Sequence, residues 1–109
     1  MKVIKIHTDG VCSIKDIENT LEALQQEVGG YIETLTLAAD CCMIVDEEGR
    51  LKDKPLNEKA SRLGLPIVGD VLLVGVDGDE FTDVPEAMIE MCKDRWDIEA
   101  KEESNDNIQ

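Results

Sequence analysis

Aromatic residues are scarce in this chain: Tyr31, Phe81 and Trp96 are all that its 109 residues contain. An interior with so few rings must rest on Leu, Ile, Val and Met, so a compact aliphatic core is expected. Histidine is scarcer still, with His7 alone. That excludes zinc sites built on histidine pairs and leaves a Cys-His nucleophile without a motif, so His7 reads as a strand residue with a local hydrogen bond. Long apolar runs are missing too. The longest lies around Val71 to Val76, and Met1 to His7 lacks the apolar stretch of a secretory signal, so a cytoplasmic protein away from membranes is expected.

Cys12, Cys41, Cys42 and Cys92 show no C-x-x-C spacing. They are expected to be reduced thiols that pack as small apolar groups, with Cys41 and Cys42 on opposite faces of one strand, and neither metal nor cofactor is implied. Phosphate-cradling loops are absent as well, because Gly69, Gly75 and Gly78 are spread along a hairpin and no G-K-S/T follows. Asp77, Asp79, Glu80 and Asp83 cluster like calcium ligands, but Phe81 and Thr82 stand where an EF-hand needs an oxygen ligand and a glycine. Among so many carboxylates no acid and base pair stands out, and an enzyme is not expected.

Basic residues are few: 11 against 25 acidic ones, a formal net charge of -14. From Asp77 onward there are twelve acidic and three basic residues. Such a field repels nucleic acids and anionic membranes and attracts basic proteins, so direct nucleic-acid binding is not expected, and the acidity either keeps a small protein in solution or marks an interface for a basic host protein.

At this length the chain can bury one core. Lys2 to His7 reads as a strand. Ser13-Ile14-Lys15-Asp16 resembles a capping box with Asp in place of Glu, and Ile14, Ile17, Leu21, Leu24 and Val28 follow at helical spacing, predicting one helix whose buried face they line. Gly29 and Gly30 end it in the left-handed conformation, after which Tyr31 to Leu37 alternates as a strand. Cys42 to Val45 is a second apolar strand, 46–50 a hairpin turn, and Leu51 and Lys52 the start of the returning strand. Asn57 caps a short helix over 58–63 that buries Ala60 and Leu63, and Gly64 and Pro66 end it. Ile67 to Val76 is the most strand-like run, expected near the sheet centre, and Asp77-Gly78 turns it toward Glu80-Phe81-Thr82. Pro85 and Glu86 open a last helix with Met88, Met91, Cys92 and Trp96 on one face. The fold expected is α+β: a largely antiparallel sheet packed against two or three helices as a single pair of layers. One domain over 1–100 and a disordered acidic tail over 101–109 complete it.

Four short motifs stand in this order: Val28-Gly29-Gly30-Tyr31-Ile32-Glu33, Val45-Asp46-Glu47-Glu48-Gly49-Arg50-Leu51, Pro55-Leu56-Asn57 with Ala60, and Gly69-Asp70-Val71-Leu72-Leu73-Val74-Gly75. Together they resemble the bacterial and phage domain of unknown function 3846, over roughly residues 2 to 83. The resemblance implies a small single-domain protein of phages, plasmids or integrated elements, with no established activity. Most of the motif residues have local structural roles: glycines at turns or close approaches, and Asn57 as a cap. The polar residues at element ends, Tyr31, Glu33, Asn57 and Asp70, are the candidate ligand-binding set, with Tyr31 stacking on a base and Asn57 or Asp70 fixing it. A nucleotide would need lysines or backbone N–H groups to converge there against the negative field. Two functions follow as expectations: a non-catalytic accessory protein that occupies a basic host protein, in one version by mimicking DNA, or a protein that sequesters a small ligand such as a nucleotide.

Overall fold

A computed structural model describes residues 1–96, excluding the side chain of Trp96; the tail expected over 101–109 lies outside the described residues. β1 (Lys2–Ile6) and β2 (Cys12–Asp16) form a hairpin in which Ile6 pairs with Cys12 and Lys2 with Asp16. The turn between them is set by Gly10 at φ 95° and by the Asp9 carboxylate, which accepts the Val11 N–H at 2.9 Å. This corrects the expected helix start. Residues 13–16 read as a capping box, but Asp9-Gly10 is also a hairpin signal, and every residue from Cys12 to Asp16 is paired with β1. The helix α1 (Leu21–Val28) begins only at its N-cap Thr20, whose hydroxyl accepts the Ala23 N–H at 3.1 Å.

β3 (Ile32–Ala38) and β4 (Cys41–Asp46) form the next hairpin, with a register shift between Thr36 and Ala38. The returning strand expected at Leu51 and Lys52 does not form: residues 47–53 are successive turns, and Leu51 is exposed. A short helix α2 (Glu58–Ser61) follows. β5 (Val71–Asp77) is central, as expected, although Val68 upstream makes only an isolated bridge with Leu56. β6 (Glu80–Thr82) pairs with the part of the β5 edge that β1 leaves free, and α3 (Glu86–Trp96) ends the described chain.

The sheet runs β2-β1-β5-β4-β3 with every pairing antiparallel. The class is thus α+β, six antiparallel strands with three helices, but the layering exceeds the single pair expected. Alternation along β5 sends Val71 and Leu73 into a core with Ala60 of α2 and Ile89 and Cys92 of α3, whereas Leu72 and Val74 join Leu24 and Val28 of α1 on the other face. Burial on both faces is why β5 reads as a continuous apolar run. It also divides the residues once assigned to one helix face. Leu24 and Val28 are buried under α1, Ile17 is half-buried beside them, Leu21 is exposed, and Ile14 belongs to β2 on the opposite side. All four cysteines are buried free thiols.

Candidate functional site

The motif segments 28–33, 45–51, 55–57 and 69–75 meet at one end of the sheet, where α1 stops. Gly29 takes φ 82°, and the N–H groups of Gly29 and Gly30 both donate to the Gln25 carbonyl at 2.8 and 3.1 Å. Gly30 is not left-handed, contrary to expectation. Its role is close approach: a Cβ there would lie 2.6 Å from Asp46 Oδ1 and 2.5 Å from Lys52 Nζ.

The carbonyls that α1 leaves unsatisfied are taken by two lysines of the turn segment. Lys54 Nζ donates to the Val28 carbonyl at 2.8 Å and Lys52 Nζ to that of Gly29 at 3.1 Å. The last turn of α1 carries no basic residue of its own, so these ammonium groups meet the negative end of its dipole from outside. Both also hold Asp46, at 2.7 Å from Lys54 and 2.9 Å from Lys52, and Glu48 N–H donates to the same carboxylate at 2.9 Å. The Asp46 side chain is wholly buried. Burial raises its pKa, but the Lys54 and Lys52 ammonium groups and the Glu48 N–H outweigh this and bring it down to about 2.

A second carboxylate is bracketed the same way. Glu27 of α1 lies 2.9 Å from both Lys5 of β1 and Lys15 of β2. Burial opposes its ionisation, and hydrogen bonds from Lys15 and Lys5 win, leaving its pKa lowered. Between the two clusters runs a groove of about 430 Å³ whose lining includes Lys5, Thr8, Gly29, Lys54, Gly69 and Asp70. Asp70 accepts the Thr8 N–H at 3.0 Å and stands 3.4 Å from His7 Nδ1. Each lysine pair exceeds its carboxylate by one positive charge, and Asp70 in the groove offsets one of the two.

The sequence profile of the domain of unknown function DUF3846 matches residues 1–97. The chain belongs to the DUF3846 family. Neither a curated relative nor a solved structure matches it. The matched region covers every described element, beyond the span the four motifs suggested.

Within this DUF3846 domain the four candidate residues take different places. Asp70 lines the groove just described, while Glu33 lines another cavity, of about 320 Å³, beside Leu35 and Arg50. Tyr31 is 64% exposed. Asn57 is fully buried and its side-chain hydrogen-bonding groups are engaged: Oδ1 accepts the Ala60 N–H at 3.1 Å, and Nδ2 donates to the Ile6 and Gly69 carbonyls at 2.9 Å each. It ties α2 to the end of β1 and to the segment leading into β5. The residues not singled out from sequence are Asp46, Lys52, Lys54, Glu27, Lys5 and Lys15. One signal was available: Asp46 shares the parity of Cys42 and Ile44, which puts it on the face beneath α1, where an ionised carboxylate requires cations.

The opposite end of the sheet is different in charge. Asp16, Glu18, Asp40, Asp77, Asp79, Glu80 and Asp83 are all exposed on the strand ends and turns there, with Lys2 the basic side chain among them. By contrast, the segment 46–62 carries five acidic and five basic residues. Among the described residues, whose side chains sum to a net charge of -10, these seven carboxylates and Lys2 account for -6. The four thiols take no part in either end's chemistry. Burial, reinforced by neighbouring thiols, pushes Cys92 up to about 12, and burial with Cys42 and Asp40 nearby pushes Cys41 up to about 11. Among the described residues no group of three or more His, Cys, Asp or Glu is arranged to hold a metal ion, and no helix is long and apolar enough to cross a membrane.

Proposed function

We propose that this DUF3846 protein is a non-catalytic binding factor, of phage or mobile-element type and cytoplasmic, that occupies a basic host protein through its acidic end. The observation that carries the reading is the segregation of charge: exposed carboxylates crowd the end formed by the β3–β4 and β5–β6 turns, while the charges of segment 46–62 balance. The crowding of seven exposed carboxylates at one end supports docking there over mimicry of DNA, which would call for evenly spaced carboxylates along the domain. A pull-down from bacterial lysate, at low and at high salt, tests it. One basic protein retained at low salt and released at high salt is the expected result, and its retention should fail for the variant Asp77→Lys/Asp79→Lys/Glu80→Lys. Equal retention by wild type and variant would end the proposal.

A second reading has its own support. Lys5 and Lys54 both line the groove beside Gly29 and Gly69, which supports a small anionic ligand such as a nucleotide as its occupant. Its weakness is that both ammonium groups are already engaged by Glu27 and Asp46. Calorimetric titration with mono-, di- and cyclic nucleotides tests it, and absence of heat with all of them removes it.

A further inference from the structure

The two edges of the sheet are unequal. At one edge, β2 buries Cys12, Ser13 and Ile14. At the other, no residue of β3 is buried, and among the described residues β4 is its only strand partner. An open seven-residue edge rich in Thr and Leu is a template for another strand. The devices that usually blunt such an edge are sparse here: β3 has no Lys and no Pro, one charged residue in Glu33, and a register shift only near its end, between Thr36 and Ala38.

Beside this edge is a channel that is apolar along Leu35, Leu37 and Leu63 and mixed in character around Glu33, Glu47 and Arg50. Glu33, Leu35 and Leu37 share one face of β3, and across from them lies the segment after α2, with Leu63, Leu65 and Ile67. Two cavities of about 320 and 100 Å³ adjoin here, sharing Leu35, Leu65 and Ile67. Leu65 is 65% exposed on the rim, and the segment is held in place by Arg50, whose Nη2 donates to the Pro66 carbonyl at 2.8 Å. Exposed Glu33 and Glu47 stand at the upper cavity, and β3 runs from there to Asp40 at the acidic end.

We propose that the outer edge of β3 takes up an extended segment of a basic partner protein as an added strand, with apolar side chains of that segment in the Leu35–Leu65 channel and its lysines or arginines against Glu33, Glu47 and Asp40. Backbone hydrogen bonds supply the ladder, the channel selects alternate apolar side chains, and the carboxylates select the charge. A second copy of this chain is the competing occupant. It is disfavoured because each copy carries a net charge of -14. The proposal rests on the reading that the partner is basic, and adds where and in what conformation it is held.

The test is a fluorescence-anisotropy titration with a labelled peptide of about nine residues in which valine and threonine alternate between terminal lysines, so that valines and lysines share one face, in about 0.15 M salt. Its twin is N-methylated at alternate residues, which removes one edge's N–H donors and keeps the charge. The expected result is saturable binding of the plain peptide, at least about tenfold weaker for the methylated twin. Leu65→Lys should weaken it by about fivefold or more, with an unchanged circular dichroism spectrum, since Leu65 is mostly solvent-exposed. Equal binding of both peptides would overturn strand addition while leaving the acidic-end reading intact. So would the absence of saturable binding, or a dimer in light scattering that Leu65→Lys dissolves.

Discussion

Lys54 Nζ sits 2.7 Å from the buried carboxylate of Asp46 and, with the same ammonium group, 2.8 Å from the last helical carbonyl of α1 at Val28. One side chain thereby closes the turn segment over the end of β4 and caps a helix of a different part of the sequence. Lys52 repeats the arrangement through Gly29.

Removing the carboxylate leaves two lysines without their shared partner, and removing either lysine leaves a buried anion less well compensated. Asp46→Ala is expected to cost about 3 kcal/mol, within the range for breaking a buried pair from one side, and Lys54→Ala less because Lys52 remains. Urea denaturation of the three proteins checks the order; midpoints within error of one another would mean that the cluster contributes nothing to stability.

Acid should unfold the protein partly through the same group. The folded state holds Asp46 near 2, below its ordinary 3.8, so the unfolded chain takes up the proton first as pH falls. The resulting stabilisation, about 2 kcal/mol, is complete above roughly pH 5 and is lost as pH falls toward 2. Glu27, also lowered, adds to the loss in the same direction. Denaturation midpoints measured between pH 6 and pH 2.5, in wild type and Asp46→Asn, should show a shallower decline in the variant.

Gly30→Val is expected to lower the melting temperature more than Gly29→Ala. At Gly29 the cost is the strain of positive φ, about 1 kcal/mol, together with a small shift of the Lys54 ammonium group, which a Cβ would approach to 2.9 Å. At Gly30 a side chain must displace a wholly buried carboxylate. Melts followed by circular dichroism decide between them, and equal melting temperatures would mean that Asp46 has room to move.

Leu24→Ala should cost about 2 to 5 kcal/mol, whereas Leu21→Ala three residues earlier should cost under about 0.5, since Leu24 is 2% and Leu21 54% exposed. Reversed magnitudes would put the rotation of α1 in error. Thiol titration gives a parallel check on the interior. In native protein the four buried cysteines should react slowly, and in denaturant all four should react promptly.

Much of this architecture was legible in the sequence because its signals are local. The double glycine after Val28, Asn57 before α2 and Asp77-Gly78 after β5 each determine an element boundary through their own backbone chemistry. Residues 12–20 were misread because helical spacing of Ile14, Ile17 and Leu21 coincides by chance with a strand and a connection; only the pairing with β1, a nonlocal event, selects the strand. The site was less legible still. Asp46 and Lys54 are close in sequence, but their third partner, the end of α1, is 26 residues from Lys54, and no spacing rule connects a turn lysine to a distant helix carbonyl. Asn57 illustrates the reverse: its capping role was readable, while its bonds to Ile6 and Gly69, which take up the rest of its side chain, were not.

Because seven exposed carboxylates gather at the β5–β6 end while the charges of segment 46–62 cancel, the described residues carry a dipole moment on top of their net charge. A cationic body drifting nearby exerts a torque on it and turns the acidic end forward before any contact is made. Collisions are then no longer random in orientation, which raises the fraction that lead to capture. Neutralising that end should therefore slow arrival far more than it hastens departure.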